Sequence, residues 1–150
     1  LWLTLFRDKI DDIMEQVKCP VAVFVNRSYR EGALVSFVLG GMIDVFLLSY
    51  LNIMLQNGHS VRLFLFETDD EEFHQCIDDL LAHYADQIVV VWFAGVEELV
   101  TKEKDGLLVM SHLSYTKLSE DELVMRELSS LLVIRRNKNK GEKNERLEIG

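Results

Sequence analysis

The sequence predicts an α/β domain built on a five-stranded parallel sheet with helices on both faces. Two features carry that reading. Short, nearly unbroken apolar runs rich in Val, Leu, Ile and Phe alternate with longer stretches whose apolar residues recur at threes and fours. The first pattern marks strands covered on both faces and the second marks amphipathic helices. Regular alternation of the two, with helical stretches of about 10–15 residues, favours parallel pairing through right-handed crossovers.

Taken in order, Phe6, Ile10, Ile13, Met14 and Val17 give an opening helix one apolar face, and residues 20–25 follow as a strand. Residues 27–32 are polar and aperiodic, a loop. Residues 34–39 form the next strand, stopped by Gly40 and Gly41. The helix over about residues 44–56 is apolar round most of its circumference. Ile43, Leu47, Tyr50, Leu51 and Met54 make one face while Phe46 and Ile53 lie off it, so it requires cover on more than one side. Asn57 and Gly58 end it. Residues 61–66 form a third strand. Thr68-Asp69-Asp70-Glu71 has the form of a capping box, with extra carboxylates at the positive end of a helix dipole. That helix turns Phe73, Ile77, Leu80, Leu81 and Tyr84 inward.

Residues 88–93 are an unbroken β-branched and aromatic run, a strand covered on both faces. A short helix near residues 96–103, a strand over 107–110 and a polar loop from Ser111 to Tyr115 come next. Ser119-Glu120-Asp121-Glu122 forms a second capping box, opening a helix that ends near Ser129, and residues 131–134 are the last strand. Five strands from Leu34 onward complete one unit. Residues 1–33 therefore read as the helix and strand closing a truncated preceding half-domain, 34–136 as the α/β domain, and 137–150 as a basic, disordered tail.

A chain of 150 residues with 49% apolar and 27% charged residues has the composition of one ordinary globular domain. The formal charge of -9 excludes duplex nucleic acid as the expected partner, because that binding needs a basic footprint. Twelve acidic residues lie between Glu67 and Asp105 against Lys102 and Lys104, while six basic residues lie between Arg135 and Arg146 against Glu142 and Glu145. Solvated helix faces and a solubilising tail account for this division, and a basic tail can also touch anionic lipid. Cys19 and Cys76 are far apart and form no CxxC pair, which points to a reducing compartment. Residues 35–55 approach the length of a membrane span, but two glycines interrupt them and Asp44 and Asn52 lie inside. A buried strand followed by a buried helix explains the same residues without a carboxylate in lipid.

In an open α/β sheet the ligand site lies at the carboxyl ends of the strands, where the strand order reverses. If the strand over 34–39 is central, the residues there are Gly40, Gly41, Asp44, Ser111, His112 and Ser114. Glycines before a helix let backbone N–H groups approach an anion, although two adjacent glycines match neither GxGxxG nor a Walker loop; a tight turn explains them equally. Asp44 is placed to meet a ribose hydroxyl or, more simply, to cap its helix. Ser111, His112, Ser114 and Tyr115 are the densest set of neutral hydrogen-bonding groups, suited to a phosphate or a base, or to an ordinary polar loop. His74 with Asp78 and Asp79 with His83 have helical i, i+4 spacing, but they lie opposite the apolar stripe as a solvated face does, and no metal site is expected. There is no Gly-x-Ser-x-Gly elbow, and Cys76 beside an apolar face reads as a small core residue. No reaction is assigned and no catalytic residue is named.

The stretch from Cys19-Pro20 to Asn26-Arg27, the apolar run Val35 to Leu39 ending in Gly40-Gly41, and Asp105 before a further apolar run, taken in that order, resemble the carboxyl-terminal cytosolic region of transporters of the monovalent cation:proton antiporter-2 family. Cys19-Pro20-Val21-Ala22-Val23-Phe24-Val25-Asn26-Arg27 is similar to that family's strand opened by a Cys-Pro or Pro-Cys pair and closed by Asp-Arg or a similar pair. Val35-Ser36-Phe37-Val38-Leu39-Gly40-Gly41 is similar to its apolar strand ending in Gly-Gly, followed by a strand with an acidic helix, a buried strand after Asp105 and a final helix before Leu-Val-Ile-Arg. The resemblance runs from Leu1 to about Arg136. It implies a universal-stress-protein-like fold, Rossmann-like and similar to the adenine nucleotide alpha hydrolases. It also implies a non-catalytic regulatory domain on the cytoplasmic face of the membrane, modulating exchange of Na+ or another monovalent cation for protons.

The expected partners are the membrane-embedded antiporter domain of the same polypeptide, a second copy in a homodimer paired through the last strand, and a small-molecule ligand. ATP-binding members carry Gly-x-x-Gly, nine residues, then Gly-Ser or Gly-Thr after the fourth strand. Met110 to Thr116 contains no glycine, so no cofactor is expected and nucleotide binding does not follow from the resemblance. The alternative is a stand-alone universal-stress-protein-like nucleotide-binding protein, and a nucleotide hydrolase of the same fold is the enzymatic rival.

Overall fold

The apolar runs become strands and the amphipathic stretches become helices in a computed structural model that describes residues 10–15 and 20–136. Residues 10–15 are helical (α1). There follow β1 (Val21–Val25), β2 (Val35–Leu39), a 3-10 segment (Met42–Leu47) running into α2 (Leu48–Gln56), β3 (Val61–Phe66), α3 (Glu71–Tyr84) and β4 (Ile88–Phe93). A short 3-10 turn (Val96–Leu99), β5 (Leu107–Ser111), α4 (His112–Leu118), α5 (Glu122–Glu127) and β6 (Ser130–Arg135) complete the fold.

The fold is α/β, as expected, but the sheet is not five-stranded and wholly parallel. It has six strands in the order β1-β6-β5-β2-β3-β4. Every pairing from β6 to β4 is parallel, whereas β1 runs antiparallel to β6, with Val23 opposite Val133. The sixth strand is the one assigned by sequence to a preceding half-domain. By taking the edge beside β6 it removes the free last strand on which a dimer pairing was expected. The strand β4 lies at the opposite edge, where Val89 is 63% exposed, but Val91 and Phe93 pack into one core and Ile88, Val90 and Trp92 into the other, so both of its faces are covered apart from that position.

Two cores lie on opposite faces. On one, Leu47, Leu51 and Leu55 with Phe73 and Ile77 of α3 pack over Phe37, Leu39, Leu63 and Leu65. On the other, Ile10 and Met14 of α1, Tyr115 and Leu118 of α4 and Met125 of α5 pack over Val38, Met110, Leu131 and Val133. Helices therefore cover both faces, and the chain changes face after β4. Starting from β2, the first crossovers proceed toward β4 and the later ones toward β6, so the order reverses between β2 and β5.

Several local expectations shift for identifiable reasons. The stretch after Gly41 starts as a 3-10 segment with three residues per turn, which rotates the buried stripe to Leu47-Leu51-Leu55 and leaves Ile43 and Tyr50 exposed with Ile53. Ile13 is likewise exposed. Neither helix cap is the Ser/Thr named from sequence. Asp70 accepts Glu72 N–H and Phe73 N–H at 3.0 and 3.4 Å, and Asp121 accepts Val124 N–H at 3.1 Å. Each aspartate stands two residues beyond the hydroxyl and is at least as strong a cap. The supposed loop from Ser111 to Tyr115 is the start of α4, with Ser111 as its cap. The calls on Phe6, Val17, Cys19 and the 137–150 tail lie outside the described residues.

Arg27 fastens β1 to the rest. Its guanidinium donates to the carbonyls of Met125 and Leu128 at the end of α5, and its backbone N–H donates to Ser130 Oγ at 2.7 Å. A cation there meets the negative end of the helix dipole. Burial pushes this guanidinium below its ordinary pKa, against the opposing influence of Tyr115.

Candidate functional site

The reversal of strand order brings the carboxyl ends of β2 and β5 side by side, and three of the six residues picked out by sequence meet there. Gly41 sits at φ 150°, a backbone region that side chains other than hydrogen strongly disfavour, and turns the chain directly from β2 into the 3-10 segment. One turn on, the side chain of Asp44 folds back over the strand end. Its Oδ2 accepts Gly40 N–H at 2.6 Å and Ser114 Oγ–H at 2.8 Å. A Cβ on Gly40 would lie 3.2 Å from that same oxygen, so the absent side chain is what permits so close an approach.

Asp44 is 1% exposed, and its second oxygen, Oδ1, is buried with no hydrogen-bond partner among the described residues. None of the ion pairs found among those residues includes it. Buried carboxylate oxygens are ordinarily paired, because leaving one bare in a low-dielectric site is costly. The carboxylate therefore joins two segments through one oxygen, while the other lies closed off from solvent.

Two cavities flank it, sharing Ile43, Asp44 and Leu113 in their walls. The first has a volume of about 160 Å³ and is walled chiefly by apolar side chains, including Val38, Phe66, Phe93 and Met110, with Lys117 its other charged residue. The second, about 310 Å³ and more open, includes Phe46, Ser111, His112, Arg135 and Arg136.

The remaining predicted residues have other duties. Ser111 caps α4, accepting Ser114 N–H at 3.1 Å. His112 points away from Ser114 and meets Asp11 of α1 at 2.9 Å, tying the first helix to α4. Ser114 thus has a carboxylate partner but no histidine within hydrogen-bond reach, and the third member of a nucleophilic triad is not assembled beside it. On α3, His74 stacks on Trp92 with ring centroids 4.8 Å apart and contacts Thr68 O at 2.8 Å, while His83 contacts Asp79 O at 3.0 Å. Among the described residues no three His, Cys, Asp or Glu side chains gather as metal ligands would.

Sequence reasoning missed the aromatic wall. Phe66 and Phe93 are the last residues of β3 and β4, the strand ends at which a ligand site is sought in this architecture, so the same rule that selected Gly40 would have found them. Asp11 carried no comparable signal. Among the described residues no helix is long and apolar enough to cross a membrane. Compared with protein-family models, curated proteins and solved structures, the chain matches none.

Proposed function

We propose that this chain is a non-catalytic regulatory domain of universal-stress-protein-like type, serving a monovalent cation/proton antiporter from the cytoplasmic face of the membrane. The observation that carries the reading is the occupied strand end. In a nucleotide-binding relative of this architecture the backbone N–H groups after the first strand would face a phosphate. Here Gly40 N–H is already bonded to Asp44, and a phosphate brought to the same place would meet a like charge. The switch point keeps its crevice, exchanges anion binding for a buried carboxylate and ties Ser114 to that carboxylate with no histidine beside it.

Two further features support the regulatory reading. The antiparallel seam between β1 and β6 makes β1 the edge strand of this sheet, so a polypeptide segment preceding it would lie against that edge. Ile43 in the 3-10 segment and Tyr50 and Ile53 in α2, each more than 40% exposed, leave apolar side chains uncovered for contact with the rest of a larger polypeptide or with a second copy. A domain biases a transporter only by contacting one of its states better than another, and such a face provides the contact.

Calorimetric titration with ATP, AMP and cyclic dinucleotides separates this reading from the stand-alone nucleotide-binding alternative. The expected result is no saturable heat with any of them. Tight ATP binding would transfer the chain to the alternative. Fractionation of cells by an antibody to this domain tests the parentage: the native polypeptide is expected in the membrane fraction, and a freely soluble native product no larger than this chain overturns it.

A further inference from the structure

The two edges of the sheet are β1 and β4. The second is a six-residue strand that pairs with β3 on one side and with no described element on the other. Bonds at its two ends fix the direction of its backbone groups. Gln87 O accepts Val61 N–H at 2.8 Å and Phe93 O accepts Glu67 N–H at 2.9 Å, so Val89 and Val91 between them also face β3. Backbone direction alternates along a strand, and the N–H and C=O of Ile88, Val90 and Trp92 therefore point outward from the edge. Natural sheets blunt such an edge with Lys, Pro, a bulge or a very short strand. This strand, Ile-Val-Val-Val-Trp-Phe, has no charge and no proline, and its register with β3 runs unbroken from Ile88 to Phe93. Val89 is 63% exposed, although Ile88 and Phe93 at the strand ends are buried.

We propose that β4 is a self-association edge, joining a second copy of this chain in antiparallel register about a two-fold axis at Val90. The outward-facing residues are symmetric about Val90, so that axis sets Val90 opposite its own counterpart and Ile88 opposite Trp92 of the copy. Each outward N–H then meets an outward C=O, as in the hydrogen-bonded pairs of an antiparallel ladder. The contact is isologous and closes at two chains. At the intervening positions Val89 comes opposite Val91 of the copy, an apolar cross-strand pair that covers the exposed side chain. The charges are compatible with this pairing. The strand itself is uncharged, and Asp86, the nearest acidic residue in sequence, falls opposite Ala94 of the copy. It lies about 27 Å along the strand from its own counterpart, beyond the screening length of about 8 Å. A single strand seam is narrow beside the about 800 Å² per partner of a standard interface, so the dimer is weak and depends on concentration. The proposal goes beyond the regulatory reading and does not rest on it, since the edge belongs to this chain whatever polypeptide carries it.

The test is sedimentation equilibrium of the 150-residue chain between about 1 μM and 1 mM, with amide hydrogen exchange measured at both ends of that range. The apparent mass is expected to rise from 17.4 kDa toward twice that value. Exchange at Ile88, Val90 and Trp92 is expected to slow about tenfold or more in the concentrated sample, while Val89, Val91 and Phe93, already bonded to β3, change little. Val89→Lys, at a position 63% exposed, is expected to keep the fold. It sets two ammonium-bearing side chains diagonally across the seam about 7 Å apart, so its mass is expected to stay at 17.4 kDa throughout. Should that variant fail to fold, the alternating protection in the unmodified chain decides by itself. A monomer at every concentration, growth past two chains, a dimer that survives Val89→Lys, or concentration-dependent protection on β1 or α2 in place of alternate residues of β4 overturns the proposal. Protection of Ile88, Val90 and Trp92 in the dilute monomer does so too, because another segment of the chain would then cover the edge. These readouts involve this chain alone, so their failure leaves the membrane-fraction and transport tests of the broader reading intact, and failure there leaves this proposal intact.

Discussion

Asp44 does three jobs that a helix-capping aspartate does not. It closes the end of β2 by accepting Gly40 N–H, reaches across the reversal to Ser114, and leaves one oxygen facing inward without a partner. The neighbouring glycines make this possible in different ways, Gly40 by lacking the Cβ that would crowd the carboxylate and Gly41 by adopting a backbone angle closed to other residues. Gly41→Ala, which has open space around it but a strained backbone, is expected to destabilise the domain by about 1–3 kcal/mol in urea unfolding. An unchanged midpoint would show that the turn relaxes freely. Glu98 offers a residue-scale test of pH dependence. Its carboxylate accepts Gly95 N–H and Ala94 N–H at 2.9 and 2.8 Å, and these bonds hold its pKa below the ordinary 4.5. A carboxyl with a depressed folded pKa contributes stability above its unfolded value and loses it as pH falls through the folded one. The stability difference between the native chain and Glu98→Gln should therefore be largest near neutrality and vanish in acid. A difference that persists undiminished in acid contradicts the assigned role.

At the scale of elements, the seam between β1 and β6 decides how the first segment belongs to the domain. Arg27→Ala removes the guanidinium that caps α5 through Met125 O and Leu128 O and is expected to cost about 1.5–3 kcal/mol, the range for charged hydrogen bonds. Hydrogen exchange should locate the loss in β1 and α5 before β3 and β4, and uniform loss would argue against a local fastening. The exposed face of α2 makes the opposite prediction. Ile53→Lys, at a position 57% exposed, should change stability by no more than about 0.5 kcal/mol, because nothing among the described residues covers it.

These elements also show what could be read in the sequence and what could not. The bounds of β3 and β4 match the apolar runs residue for residue, because continuous apolar β-formers announce themselves locally. Gly40, Asp44 and Ser114 were selected by a rule about strand ends and do meet there. The helix α4 was hidden because only Leu113, Tyr115 and Leu118 interrupt its polar run, and a serine cap looks like loop chemistry. The antiparallel partner of β6 depends on a contact more than 100 residues away in sequence, which local periodicity does not encode. Nor does spacing disclose that His112 turns to Asp11 instead of toward the serines.

For the whole molecule, a doubly covered sheet presents a crevice with a buried carboxylate at one end, an outer helix with uncovered apolar side chains, and a first strand joined to the last. These features suit a module that changes another protein's equilibrium. The account is tested most directly by measuring cation-driven proton movement in everted membrane vesicles containing the intact polypeptide, the same polypeptide with residues 34–136 deleted, and the Ile53→Lys variant. It predicts that the deletion changes the rate or cation dependence of exchange and that Ile53→Lys reproduces the change with the fold intact. Exchange identical in all three preparations, or no exchange activity associated with the intact polypeptide, would contradict it.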